Sequence, residues 1–173
     1  MCTTRELLIL RHGKSDWGGD AVNDFDRPLA RRGRKAVKCM ASWLRRQDLL
    51  PGHILSSTAA RARQTALCLC RHADIPESRV EWHDAIYAAD LVALLGVLVN
   101  APQQHGRTMI VGHNPGLEEL VAYLAGQPMV APAGSPALPT ASLVRLSMPG
   151  DWQRLESGCA QVLSINRPRE MFE

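Results

Sequence analysis

The sequence predicts an α/β fold, a three-layer α/β/α sandwich around a mostly parallel central sheet. Three observations carry this expectation. The run Leu7-Leu8-Ile9-Leu10 is continuously apolar rather than alternating, as in a strand covered on both faces. Strand-patterned and helix-patterned segments then follow one another along most of the chain, which is the signature of strand–helix crossovers. The 173 residues, 46% hydrophobic and 21% charged, suffice for one sizeable core, so residues 1–173 are expected to form a single domain.

The first strand ends in Arg11, His12 and Gly13. In open sheets of this kind ligands gather beyond the carboxyl ends of the strands, so Arg11 and His12 are expected at the site, and Gly13 lets the chain turn directly after them. Residues 14–27 are polar and rich in Gly and Asp, a loop long enough to fold over that site, and contain Trp17 and Phe25. Beyond it Leu29, Ala36, Val37, Met40, Ala41 and Leu44 recur at helical spacing, predicting a helix over 28–47 with Pro28 in its first turn. The other face of this helix carries Arg31, Arg32, Arg34, Lys35, Lys38, Arg45 and Arg46. A solvated face is the plain reading of such a pattern, and attraction of an acidic or phosphorylated partner is the functional one.

His53 to Ser57 is the second predicted strand. The helix-patterned segment 61–73 after it has Arg61 in its first turn, which delivers that arginine to the same edge of the sheet. Arg79 to His83 is a short third strand, and Asp90 to Val99 a packing helix. Met109 to Gly112 is the fourth strand, ending in His113-Asn114-Pro115-Gly116. Asn114 is expected to cap, and Pro115 to open, a helix carrying Leu117, Leu120, Val121 and Leu124. His113 then lies between a strand end and a helix N-terminus, a position that favours anions. Gln127 to Pro139 holds four prolines and is expected as a surface loop without a core of its own. Ala141 to Met148 and Cys159 to Ile165 are expected to close the sheet as a hairpin at one edge.

Composition narrows the partners. A net charge of +3 argues for neither nucleic acid nor membrane, aromatic residues make up only 5% and none interleave with the basic helix, and no apolar run reaches spanning length. No signal peptide is legible, because Arg5 and Glu6 precede a run too short for one. Five cysteines without framework spacing fit reduced thiols, so a cytoplasmic protein is expected, and without a long apolar stripe or heptad a monomer. Cys68, Cys70 and His72 are no metal set, since helical residues two apart point to different faces. His53, His72, His83 and His105 lack the company of Arg11 and Arg61 and are expected to be surface or structural.

Three strand ends therefore present Arg11 with His12, then Arg61, then His113, nitrogen donors with no carboxylate fixed among them. Such a set suits a phosphoryl group. Guanidinium forks match phosphate oxygens bidentately, and a neutral imidazole can attack phosphorus when its other ring N–H is held by a carbonyl. Singly, each histidine would more often be structural, but two arginines at apolar strand ends are costly unless an anion or a carboxylate meets them.

Leu10-Arg11-His12-Gly13, Ser56-Ser57 followed by Arg61 with Gln64-Thr65-Ala66, and Val111-Gly112-His113-Asn114 resemble the histidine phosphatase superfamily, whose fold is phosphoglycerate mutase-like. Lys14-Ser15-Asp16-Trp17, the stretch Asp24 to Leu29, and Pro139-Thr140-Ala141-Ser142 resemble its small bacterial branch, the SixA-like phosphohistidine phosphatases. The resemblance covers nearly the whole chain. It implies that His12 is the phosphorylated nucleophile, that Arg11, Arg61 and His113 bind phosphoryl oxygens, and that neither metal nor cofactor is needed. The implied substrate is phosphohistidine on a signalling or phosphorelay protein. The alternatives are a small phosphomonoester handled at the same site, or a non-catalytic phosphate-binding module.

Two departures from the family stand out. Thr58 occupies a position where proline is common. No general acid can be assigned, with Asp16, Asp24, Asp26, Asp84 and Asp90 all candidates. A P–N bond to imidazole breaks more easily than a P–O bond to an alkoxide, so a missing acid favours a phosphoramidate substrate.

Overall fold

The computed structural model describes residues 4–172. Strand β1 (Arg5–Arg11) is followed by helix α1 (Arg31–Arg46), β2 (His53–Ser57), α2 (Ala60–Ala73), β3 (Val80–His83), α3 (Leu91–Val99), β4 (Arg107–Gly112) and α4 (Gly116–Ala125). Strands β5 (Leu143–Met148) and β6 (Gln161–Asn166) and a short helix α5 (Pro168–Met171) complete it. One six-stranded sheet runs in the order β3-β2-β4-β1-β5-β6. The four strands from β3 to β1 are parallel, and β5 and β6 add antiparallel to the β1 edge, so the expected α/β sandwich holds with a hairpin at one side.

The apolar run of β1 is split between the two faces by the strand's period of two. Leu8 and Leu10 pack with Val37, Met40 and Leu44 of α1 and Ala62, Ala66 and Leu69 of α2. Leu7 and Ile9 pack on the opposite side with Leu94 and Leu98 of α3 and Leu117, Leu120 and Leu124 of α4. All four leucine and isoleucine side chains of that run are fully buried, which is why it shows no alternation in sequence. Glu6, one residue earlier, accepts from Arg107 Nε of β4 at 2.7 Å and from Arg145 of β5, stitching three central strands together at their far end.

Three details differ from expectation. Helix α1 starts at Arg31, not at Pro28, because residues 28–30 are extended and spoken for: Leu29 bridges Ser15, its N–H donates to Gln64 Oε1 at 2.8 Å, and the Ala30 N–H donates to Lys14 O. Asn114 does not cap α4 and Pro115 does not lie inside it. Pro115 is the residue preceding the helix, across a cis peptide bond, while Asn114 Nδ2 donates to Glu118 Oε1 and to Leu138 O, both at 2.9 Å. The 127–139 segment has no helix or strand, yet it is anchored in the core by Leu138, which is fully buried among α4 and β5 residues.

Candidate active site

The parallel register of β1 and β4 pairs Arg11 with Gly112, so the residues that follow, His12 and His113, emerge side by side. Their rings lie 5.0 Å apart, centroid to centroid, and the His12 N–H donates to Gly112 O. Strand β2 is registered against β4 with Ser56 opposite Val111, which brings Ser57 beside His113. The His113 Nε2 to Ser57 Oγ distance is 2.8 Å. Arg61, buried in the first turn of α2, donates from Nε to His12 Nε2 at 3.4 Å.

The tautomer of His12 follows from its partners. Its Nδ1 lies 2.7 Å from Gly13 O, and a carbonyl only accepts, so the proton resides on Nδ1 and Nε2 keeps its lone pair. Burial lowers the pKa of His12 to about 3, with the charges of Arg61 and Arg11 acting in the same direction. Burial, with Arg61 next, likewise lowers His113 to about 4. Both imidazoles are therefore neutral at physiological pH. Gly13, whose carbonyl fixes this tautomer, is itself held by its N–H donating to Thr65 Oγ1 at 3.0 Å, and Thr65 donates in turn to Arg61 O. A side chain at Gly13 would press within 3.0 Å of both Gly33 O and Val37, so only glycine lets the turn close on α1.

Arg11 faces the other side of the sheet end. Its Nη1 donates to Leu138 O at 2.9 Å, and its Nε is buried without a partner among the described residues. The four expected residues thus meet at one edge, three in direct contact and Arg11 beside them. The 14–27 loop reaches the site as expected, through Asp24. Arg61 donates from Nη1 to the Asp24 carbonyl at 2.7 Å and from Nη2 to Asp24 Oδ2 at 3.0 Å. Tyr87 OH donates to the same carboxylate oxygen at 2.8 Å, and Arg27 to the other.

The acid candidates now separate. Asp16 accepts from the Gly18 N–H, Asp84 accepts from Thr58 Oγ1, and Asp90 caps α3 through the Ala93 N–H, each a local structural duty. The Asp26 N–H donates to Asn23 Oδ1, and its carboxylate has no hydrogen bond to the histidines or Arg61 among the described residues. Asp24 alone among the five touches Arg61. Its partial burial pushes its carboxyl up, but the hydrogen bonds from Tyr87, Arg61 and Arg27 outweigh that and hold it at about 2. It is an anion at neutral pH, not a proton donor.

Sequence alone does not single out Ser57, Thr65 and Tyr87 as site residues. Ser57 had a signal, its place at the end of β2. Thr65 stands one helical turn after Arg61. Tyr87 follows a short turn after β3 and carried none.

The arrangement combines a neutral imidazole whose Nε2 keeps its lone pair with the Arg61 guanidinium against that nitrogen, which suits attack on a phosphoryl group held by the arginine. The model of the histidine phosphatase superfamily (branch 1) matches residues 7–85. An uncharacterized protein of Mycobacterium tuberculosis is 30% identical over 164 residues, 92% of this chain and 100% of that protein. Phosphohistidine phosphatase SixA of Escherichia coli is 28% identical over 141 residues, 80% of this chain and 82% of SixA. Among solved structures, the protein histidine phosphatase SixA complexed with tungstate superimposes with a TM-score of 0.80 at 23% identity, covering 96% of this chain and 99% of that one.

Proposed function

From the premise that this chain belongs to the histidine phosphatase superfamily and is a phosphatase of its SixA-like branch, we propose that it removes phosphate from phosphohistidine carried on a protein. The observation that carries this reading is the state of Asp24. The one candidate carboxylate in contact with the phosphate-binding arginine is locked as an anion by three donors, so it offers no proton to a departing alkoxide. An imidazole leaving group needs none, because it departs neutral when its other nitrogen already carries a proton.

His12 Nε2 attacks phosphorus, a P–N bond to His12 forms as the substrate's P–N bond breaks, and the electron pair of the broken bond stays on the departing imidazole. Arg61 and Arg11 neutralise the phosphoryl oxygens, and His113, fixed by Ser57, adds a further polar contact. Water then cleaves the P–N bond of the phosphorylated His12. The Gly13 carbonyl holds Nδ1–H throughout, so the nucleophilic nitrogen stays directed at phosphorus.

The test compares phosphate release from a histidine-phosphorylated phosphocarrier protein and from an aryl phosphate, with wild type and His12→Ala, in EDTA. Faster release from phosphohistidine, abolished in His12→Ala, is expected. Preference for the ester would overturn the substrate class, and turnover by His12→Ala would overturn the mechanism.

A further inference from the structure

Charge is segregated in this molecule. Helix α1 holds seven arginines and lysines and no acidic residue, so the chain's +3 less the helix's +7 leaves −4 for everything else. The apolar face of α1 is spent in the core, with Val37, Met40, Ala41 and Leu44 fully buried, so the cations crowd the outer face. Among the described residues only Arg45 of these seven pairs with a carboxylate, that of Asp74. The cleft between α1 and α2 is lined by Arg31, Lys35, Lys38 and Arg71 and by no carboxylate.

The position of this face matters as much as its charge. The first turn of α1 lies against the residues that follow His12: a side chain at Gly33 would strike Lys14 O at 2.2 Å. A second groove continues from there, where Arg32 and Lys14 share a wall with Arg11. That groove also holds Arg167 and Arg169 against one carboxylate, Glu170, so cations predominate from Arg11 past the start of α1 and along its length. The helix has 16 residues, which span about 24 Å, within reach of a short segment or the adjoining surface of a bound protein.

We propose that the outer face of α1 is a docking surface for acidic side chains that flank the phosphorylated histidine of a protein substrate. This rests on the phosphohistidine reading above and adds to it the chemistry by which the carrier is recognised. Charge complementarity favours a protein over the other polyanions. A lipid surface would require an apolar face free to enter the bilayer, and that of α1 is buried. Single-stranded nucleic acid would require exposed aromatics for stacking, and the helix has only Trp43, half-buried against the core.

The experiment uses two synthetic phosphohistidine peptides, one flanked by glutamates and one by serines, with free phosphoramidate as a small substrate. Wild type is expected to show kcat/KM about tenfold higher for the glutamate peptide at low salt. The preference should collapse at 0.5 M salt, where screening falls to about 4 Å, and in Arg31→Glu/Lys35→Glu/Lys38→Glu. Phosphoramidate turnover by that variant should equal wild type, which also reports intact folding. If it falls, Lys35→Gln/Lys38→Gln replaces it and is expected to lose about half the preference on a logarithmic scale. Equal kcat/KM for the two peptides in wild type, or a preference that survives charge removal, would overturn the docking surface. So would competition by phosphatidylserine vesicles or an RNA oligonucleotide without any peptide preference. No turnover of peptide or phosphoramidate by wild type would instead remove the phosphohistidine reading itself.

Discussion

The pKa of His12 gives the sharpest test of the site. An ordinary histidine at 6.5 would be about 97% protonated at pH 5, whereas His12, held at about 3 chiefly by burial, would be about 1% protonated there. Nucleophilic capacity in the free enzyme should therefore be retained at pH 5, where an unperturbed imidazole would have lost about thirtyfold. The same shift couples to folding. The unfolded chain takes up a proton at His12 below pH 6.5 and the folded chain does not until about pH 3, so this contribution to stability is whole above 6.5 and is lost as pH falls toward 3. The full difference is of order 5 kcal/mol, with His113 adding in the same direction down to about pH 4. The assay is an NMR titration of the imidazole ring resonances, assigned with His12→Asn, together with urea unfolding of both proteins from pH 8 to 4. The stability of wild type should fall more steeply than that of His12→Asn. A His12 titration midpoint at 6 or above, or parallel stability curves, would refute a nucleophile whose pKa is lowered by burial.

Other perturbations have equally defined outcomes. Asp24→Asn keeps the shape of the loop but removes the charge that fastens Arg61. Because Asp24 is about half exposed, the loss should be modest, about a fivefold rise in KM for a phosphoryl substrate with unchanged limbs in the pH profile, measured by initial rates. A vanished basic limb would instead make Asp24 the proton donor. Gly33→Ala drives a methyl into Lys14 O and should cost about 1–3 kcal/mol in thermal unfolding, with loss of turnover from displaced Gly13. Glu6→Gln removes a carboxylate whose pKa is lowered chiefly by its hydrogen bond from Arg145. Its stabilising effect is present above the unfolded value near 4.5 and lost as pH falls through the lower folded value, so variant and wild type should converge in stability as pH falls below 4.5.

Much of this site is legible in sequence because it is built at strand ends. The β1 run, the Arg11-His12-Gly13 break and the Gly112-His113 step each announce themselves locally, and the parallel sheet does the rest by bringing those ends to one edge. The chemistry calls for a tautomer-fixing carbonyl, and Gly13 supplies it. What stayed hidden is set by contacts across the chain. Pro28 carries a helix-opening signal, but the Ser15–Leu29 bridge and Gln64 hold that stretch extended. Asn114 is a good capping residue by type, yet Leu138 and Glu118 claim its amide. Asp24 could be named among five carboxylates but not chosen, because its meeting with Arg61 joins residues 37 positions apart.

The pairing of Arg11 with Gly112 turns the sheet into a ruler for the chemistry. Both histidines stand one step past paired strand ends, so inserting a single residue within β1 or β4 would carry one ring about 3.3 Å along and turn it to the opposite face. Length variation among descendants of this sequence should accordingly collect in the 127–139 stretch and the 14–23 part of the first loop. The strands that aim the two imidazoles are closed to it.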